Sequence, residues 1–327
     1  MTVTVIVCTY RRAEDLCKLL ACLARQTYRD LDVLVVDGTG DDPVVRDAVA
    51  AFAKGPAGML RLELITSPKG LTTQRNAGLR AARGRVICFL DDDVTVGPTF
   101  IADAAALLER ADLRDVGGLT GFDVLSYPQP VSWRWRMRRW LGTAPSLEAG
   151  ATDRLGRHAP VSFATRSPVL RTLGWLPGFC MIYRRAAIGD LSFDEGLPTY
   201  GGEDRDFSLA VAARWRLMLS SDLELEHHVS PSARSSAVRR MYETGFGTGR
   251  AFAKRARGLR DRMSLAHYIA CEFAIDAVTI FPRVSVDRLR MPMARARGIV
   301  AGWRSIAGPR SGSLVQPMAG AAKGASR

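Results

Sequence analysis

No stretch of this 327-residue chain reaches ~18 consecutive uncharged apolar residues, the length a bilayer-spanning helix requires. The best run, residues 273–281, is broken by Asp276, so no membrane span is expected. Nor is a secretory leader expected, because Arg11 and Arg12 follow the apolar stretch 3–8 instead of preceding it. The six cysteines, at positions 8, 17, 22, 88, 180 and 271, form no CxxC pair, which argues against a zinc site and for reduced cytosolic thiols. GxxxxGK[ST] is absent, which excludes a P-loop NTPase. No helix-turn-helix, RRM or zinc module accompanies the basic residues, so nucleic acid is not the expected partner. There is no internal repeat.

What the chain does have is 47% hydrophobic content, enough to bury one large domain plus an appendage. Its net charge of +13 is unevenly placed. Residues 232–327 carry 18 Lys and Arg against 5 acids, whereas residues 1–231 hold 28 of each sign. A localised cationic segment predicts an acidic partner surface, foremost the anionic inner leaflet of a cell membrane.

Strand and helix patterns alternate through the first hundred residues. Residues 2–8, 32–36, 60–65 and 85–90 are short apolar runs that read as strands, and Cys8 and Cys88 pack within them as small hydrophobes. Leu16, Leu19, Leu20 and Leu23 recur at helical spacing, and 72–83 reads as a further helix. Repeated βα units imply an α/β fold with a mostly parallel sheet whose strand ends line one crevice. Beyond the irregular, Pro-, Arg- and Trp-rich stretch 122–172, residues 175–183 read as a buried strand and 203–213 as a helix. Residues 217–219 and 223–229 read as two short strands. From 232 onward the pattern is helical and basic, and 308–327 reads as a disordered tail. Gly245-Phe246-Gly247-Thr248-Gly249-Arg250 imitates a phosphate loop, lacks the preceding strand, and reads as a flexible hinge.

The strand 85–90 runs into Asp91-Asp92-Asp93. Three adjacent anions repel one another unless a cation or water relieves them, and at a strand end facing the crevice they are placed to hold Mg2+ or Mn2+ with phosphate oxygens. A solvated acidic turn is the plain alternative. Glu203-Asp204 follows Gly201-Gly202 at a helix start; helix capping accounts for one acid, and a general base on a movable loop accounts for the pair. His227 shares one strand face with Leu223 and Leu225, as a packed core residue or as a ligand.

Taken in order, Val5-Ile6-Val7-Cys8-Thr9-Tyr10-Arg11-Arg12, Leu34-Val35-Val36-Asp37-Gly38, Gly70-Leu71-Thr72-Thr73-Gln74-Arg75-Asn76-Ala77-Gly78, and Phe89-Leu90-Asp91-Asp92-Asp93 resemble the successive motifs of family 2 glycosyltransferases. Pro177-Gly178-Phe179-Cys180-Met181, Phe193-Asp194-Glu195 and Gly201-Gly202-Glu203-Asp204-Arg205-Asp206, then His227, continue the series. The resemblance covers about residues 3–231 and implies the Rossmann-like GT-A fold, its central sheet flanked by helices. It divides the chain into a glycosyltransferase domain at 1–231, with a nucleotide-binding half at 1–93 and an acceptor half at 94–231. A basic helical extension at 232–307 and the tail follow.

The resemblance also implies roles. Thr9, Tyr10, Arg12, Asp37, Arg75, Asn76, Asp91 and Asp92 would line the donor nucleotide. Asp91 would face the ribose and, with Asp93 and His227, bind Mn2+ or Mg2+, Asp93 being the principal metal carboxylate; His228 would be turned away, and Asp92 would lie among the donor contacts without a firm role of its own. Asp204, beside Glu203, would act as catalytic base in an inverting transfer from a nucleoside-diphosphate sugar, UDP favoured, to a glycan or lipid-linked acceptor. The Gln-x-x-Arg-Trp motif of processive members is absent, which implies transfer of one or a few sugars. The rival readings are a sugar-1-phosphate nucleotidylyltransferase, which expects a glycine-rich loop after the first strand, and a non-enzymatic binder of nucleic acid or anionic surfaces.

As a helix, residues 133–140 would align Trp133, Met137 and Trp140, with Arg134 and Arg138 to the side. That stripe suits a helix lying on anionic lipid, and equally tryptophans that pack inward to shape an acceptor site. With Arg239, Arg240, Lys254, Arg255, Arg257, Arg260 and Arg262 it predicts a cytoplasmic protein attached peripherally to the inner membrane face.

Overall fold

The computed structural model describes residues 1–55, 60–229, 235–278 and 285–307. The expected tail at 308–327, and the expected domain boundary at 231/232, lie outside the described residues. Strands β1 (Val3–Thr9), β2 (Leu31–Asp37), β3 (Arg61–Thr66) and β4 (Val86–Asp91) alternate with helices α1 (Ala13–Ala24), α2 (Val44–Lys54) and α3 (Leu71–Ala81). All four strands are parallel, in the order β3-β2-β1-β4. Because β1 and β4 are covered on both faces, their runs are continuously apolar. Val5 and Val7 pack with Leu16, Leu19 and Leu20 on one side, and Ile6 packs with Ile87 and Phe89 on the other. The register sets Thr9 beside Asp37 and Cys8 beside Asp91, so the polar strand ends form one edge.

The chain continues through β5 (Val94–Val96), α4 (Phe100–Glu109), β6 (Val116–Asp123), α5 (Trp133–Trp140), β7 (Arg171–Leu173), β8 (Cys180–Arg184), α6 (Arg185–Ile188), α7 (Glu203–Ala212) and β9 (Arg216–His227). Among the described residues nine strands make one sheet, which extends from β4 through β8, β6, β9 and β5, with β7 on β9. Here the pairing is mixed: β8 is antiparallel to β4 and β6, while β6 and β9 are parallel.

Two strand expectations need correction. The strand expected at 175–183 starts only at Cys180. Pro177 has no N–H for a ladder, and both backbone groups of Gly178 are taken by side chains of the site described below. The two short strands expected at 217–219 and 223–229 are one strand, β9, whose register with β6 jumps between Leu219 and Glu224. The polar break that suggested a turn is accommodated as a bulge, where the Ser220 hydroxyl accepts from Asp222 N and the Ser221 hydroxyl from Ser167 N.

Helices α8 (Ala237–Arg255), α9 (Leu259–Val278) and α10 (Val286–Ala307) form the C-terminal extension. The glycine-rich stretch at 245–250 is not a hinge but the interior of α8. A Cβ on Gly245 would stand 2.4 Å from the Arg295 carbonyl oxygen, and one on Gly249 1.9 Å from that of Ile299. Gly298 and Gly302 of α10 reciprocate against the carbonyls of Tyr242 and Phe246. The glycines therefore serve close backbone approach of two helices, a gain that offsets their poor helix propensity. No helix among the described residues is long and apolar enough to cross a membrane.

Candidate active site

At the polar strand edge the aspartate triplet divides. Side chains alternate across the end of β4. Asp91 and Asp93 each aim an oxygen at the region reached by His227, and the three ligand atoms lie within 4.8 Å of one another. Pairing of Val94 with His227 across β5 and β9 delivers the imidazole there. His227 Nε2 is 3.3 Å from Asp93 Oδ1, and its ring stacks on Phe179 at 4.7 Å between centroids. His228 lies elsewhere, with Nε2 at 3.1 Å from both Glu226 Oε2 and Thr95 Oγ1.

Burial pushes the Asp91 carboxyl above its usual range, with Arg75 opposing and Asp93 adding to the rise. For His227, burial opposes protonation, but the bond to Asp93 and the charges of Asp91 and Asp93 outweigh it and raise the imidazole's pKa. Crowded carboxylates and a proton-attracting imidazole form a site that favours positive charge. Two carboxylate oxygens and one imidazole nitrogen fit a divalent ion of the Mn2+ type.

Asp92 turns the other way and is buried, accepting from Thr9 Oγ1 at 2.7 Å and Arg12 Nη1 at 3.0 Å. Burial pushes its carboxyl up to about 7. The expected nucleotide contacts Thr9 and Arg12 are thus engaged by Asp92, and Arg12 Nη1 also lies 3.4 Å from Asp93 Oδ2. Tying the loop after β1 to the triplet is what these three side chains do. Nearby, Asp37 Oδ1 accepts from Thr39 N at 2.8 Å, and Lys69 Nζ sits 4.1 Å from the centre of the half-buried Tyr10 ring.

Arg75 joins the two halves of the site. Only 2% exposed, it donates to Glu203 Oε1 at 3.0 Å, Asp91 Oδ1 at 3.2 Å and the Gly178 carbonyl at 2.9 Å. Burial raises the Glu203 carboxyl, Asp204 adds to the rise and Arg75 opposes it. Asp204 is the second residue of α7, which follows Gly202, whose left-handed φ of 70° suits glycine. Its Oδ2 accepts from Gly178 N at 3.0 Å and its Oδ1 from Arg205 N at 2.7 Å. Asn76 faces away from this cluster: its amide nitrogen donates to Phe193 O and Glu195 Oε1, both at 2.9 Å, and its oxygen accepts from Phe193 N at 2.8 Å.

Sequence reasoning missed Asp123, which ends β6 and accepts the His227 backbone N–H at 3.2 Å. Its buried Oδ2 has no hydrogen-bond partner among the described residues. An apolar strand closing on aspartate, as at Asp37 and Asp91, was the available signal. Gly117, Gly118 and Gly121 interrupt that apolar pattern because Trp215, Tyr183 and Leu223 crowd against them.

Helix α5 leaves the two tryptophans of the expected stripe exposed and turns a third inward. Trp135 turns inward toward His158 and Phe163, while Trp133 and Trp140 are 50% and 77% exposed. Arg134 pairs with Asp276, and Arg138 is bidentate to Glu272 at 2.7 Å, so both bind α9 instead of flanking a lipid surface. Of the cations expected to meet that surface, Arg239 pairs with Glu243, Lys254 with Asp194 and Asp206, and Arg255 with Asp206.

Comparison with known proteins agrees with this architecture. The sequence model described as glycosyl transferase family 2 matches residues 4–191. An uncharacterized glycosyltransferase of Bacillus subtilis (strain 168), YwdF, is 31% identical over 112 residues, 34% of this chain and 40% of that protein. The chain thus spans less than half the length of this relative. The succinoglycan biosynthesis protein ExoM of Rhizobium meliloti (strain 1021) is 26% identical over 307 residues, 90% of this chain and 91% of that one. Among solved structures, the mannosyltransferase PcManGT of Pyrobaculum calidifontis, in complex with GDP-Man and Mn2+, superimposes with a TM-score of 0.57. At 19% identity, covering 92% of this chain and 86% of that one, this similarity is one of fold, the GT-A arrangement.

Proposed function

The chain belongs to glycosyl transferase family 2, and from that premise we propose that it is an inverting, non-processive glycosyltransferase. Its donor is a nucleoside-diphosphate sugar, with UDP the favoured nucleotide, and its acceptor is a hydroxyl of a glycan or lipid-linked saccharide. The observation that carries this reading is the convergence of Asp91, Asp93 and His227 within 4.8 Å, linked to Asp204 through Arg75, which donates to Asp91 and to the carbonyl of Gly178, whose N–H in turn donates to Asp204.

Asp91, Asp93 and His227 would hold Mn2+ or Mg2+. When bound, the ion supplies positive charge that stabilises the departing diphosphate. Tyr10, just after β1, and Asp37, at the end of β2, would contact the nucleoside. Thr9, Asp92 and Arg12 hold that loop in place. Asp204 accepts the acceptor hydroxyl's proton, the freed oxygen attacks the anomeric carbon, and the bond to the diphosphate breaks on the opposite face, so the configuration inverts. The Gly178 N–H fixes the orientation of the Asp204 carboxylate. Glu203, held by Arg75, positions rather than transfers.

Residues 1–231 form the catalytic unit in this reading, and the exposed Trp133 and Trp140 are its contact with the inner membrane face. A panel of UDP, dTDP and GDP sugars, screened with and without Mn2+, tests the assignment. Asp204→Asn should abolish transfer and leave nucleotide affinity nearly intact. Retained turnover in that variant would remove Asp204 as the base.

A further inference from the structure

Helix α8 reaches the site from behind. Lys254 Nζ lies 2.5 Å from Asp194 Oδ2 and 2.6 Å from Asp206 Oδ2, and its side chain is 27% exposed. Those carboxylates belong to separate segments. Asp206 stands two positions after Asp204 on α7. Asp194 precedes Glu195, which holds Asn76 beside the buried Arg75. Arg250 grips Asp194 at 2.6 and 2.8 Å, and Arg255 reaches Asp206 at 2.9 Å. About two turns before Lys254, a Cβ on Gly247 would stand 1.7 Å from the carbonyl oxygen of Gly201, so α8 also meets the base-bearing loop backbone to backbone.

We propose that Lys254 is a positioning residue that ties α7, with Asp204 at its start, to the segment 193–195 that braces the donor side. The inference rests on the reading of Asp204 as the base. Arg250 and Arg255 each hold one of the two carboxylates, and of the three cations only Lys254 contacts both. Gly201 and Gly202 precede Asp204, and the tie adds a side-chain restraint on the helix that carries it to those made by Gly178 and Arg75. Misplacement of a catalytic group by about 1 Å costs on the order of a hundredfold in rate, so a tie remote from the chemistry has kinetic leverage.

The test uses the full chain with Lys254→Met, Lys254→Arg and the milder Asp206→Asn. Turnover is measured with the donor that the wild type uses, UDP and GDP affinity is measured by calorimetry with Mn2+, and hydrogen exchange is followed at amides 201–206. Lys254→Met should lower kcat by about tenfold or more while nucleotide affinity stays within about twofold, and exchange at 201–206 should rise. Asp206→Asn should move both readouts the same way, and Lys254→Arg should restore most of kcat. Unchanged kcat or unchanged exchange in folded Lys254→Met, or kcat and nucleotide affinity falling together, would overturn the proposal. If the wild type transfers, Asp204→Asn is dead and Lys254→Met is unaffected, only the tie fails. If the wild type transfers nothing from any sugar nucleotide, the functional reading falls and the tie loses its catalytic meaning with it.

Discussion

Arg75 Nη1 lies 3.0 Å from Glu203 Oε1, although 128 positions separate the two residues. The guanidinium is always charged, and its burial requires nearby anions. Glu203 and Asp91 supply them, one from each half of the site. The acidic end of β4 and the start of α7 are therefore joined at the same cation.

Glu203→Ala should accordingly destabilise the protein by about 3 kcal/mol, because it leaves a buried charge short of a partner. Urea unfolding would show the midpoint falling at unchanged slope. A loss within ~0.5 kcal/mol, as for a surface change, would mean that Asp91 and the Gly178 carbonyl suffice for Arg75.

The first four strands and the acidic ends of two of them were legible in the sequence, because a parallel strand buried on both faces leaves an unbroken apolar run that stops where the crevice begins. Strand β6 was not, since its glycines make room for Trp215, Tyr183 and Leu223 and interrupt the run. Helix α8 was misread for a related reason: Gly245 and Gly249 look like breakers until the backbone of α10 is set against them. Resemblance set Asp91 on the ribose side and Asp93 at the metal, whereas the structure brings both to His227. The task of Asp92 needed Thr9 and Arg12 in three dimensions. The Arg75 and Glu203 pair joins segments too distant in the chain for any local pattern to reveal.

The tie between α8 and the segment 193–195 predicts an acid-sensitive fold. Burial alone would raise the Asp194 carboxyl, but Arg250 and Lys254 outweigh it and hold it below its ordinary value of 3.8. A carboxylate depressed in the folded state stabilises the fold above its unfolded pKa, and that contribution is lost as pH falls through the folded value. Stability should therefore decline as pH drops below about 4, and Asp194→Asn should flatten that decline while lowering the plateau near neutrality. Thermal unfolding of both proteins across pH 2–7 checks it; parallel curves would remove Asp194 as a contributor.

Membrane attachment, if it operates through α5, should depend on Trp133 and Trp140 more than on the cations of α8, which are engaged by Asp194, Asp206 and Glu243. Co-sedimentation with vesicles containing anionic phosphatidylglycerol at low salt should be lost in the Trp133→Ala, Trp140→Ala double variant. Equal sedimentation of the two proteins would place the contact elsewhere, and wild-type protein that stays in the supernatant would contradict peripheral attachment.

The central claim is that Asp91, Asp93 and His227 hold a divalent metal that recruits a nucleoside diphosphate. Calorimetry of UDP and GDP binding with and without Mn2+, in the wild type and in Asp93→Ala, tests it most directly. The account predicts nucleotide binding that is strengthened by Mn2+ in the wild type and insensitive to Mn2+ in Asp93→Ala. The same Mn2+ dependence in both proteins, or none in the wild type, would contradict it.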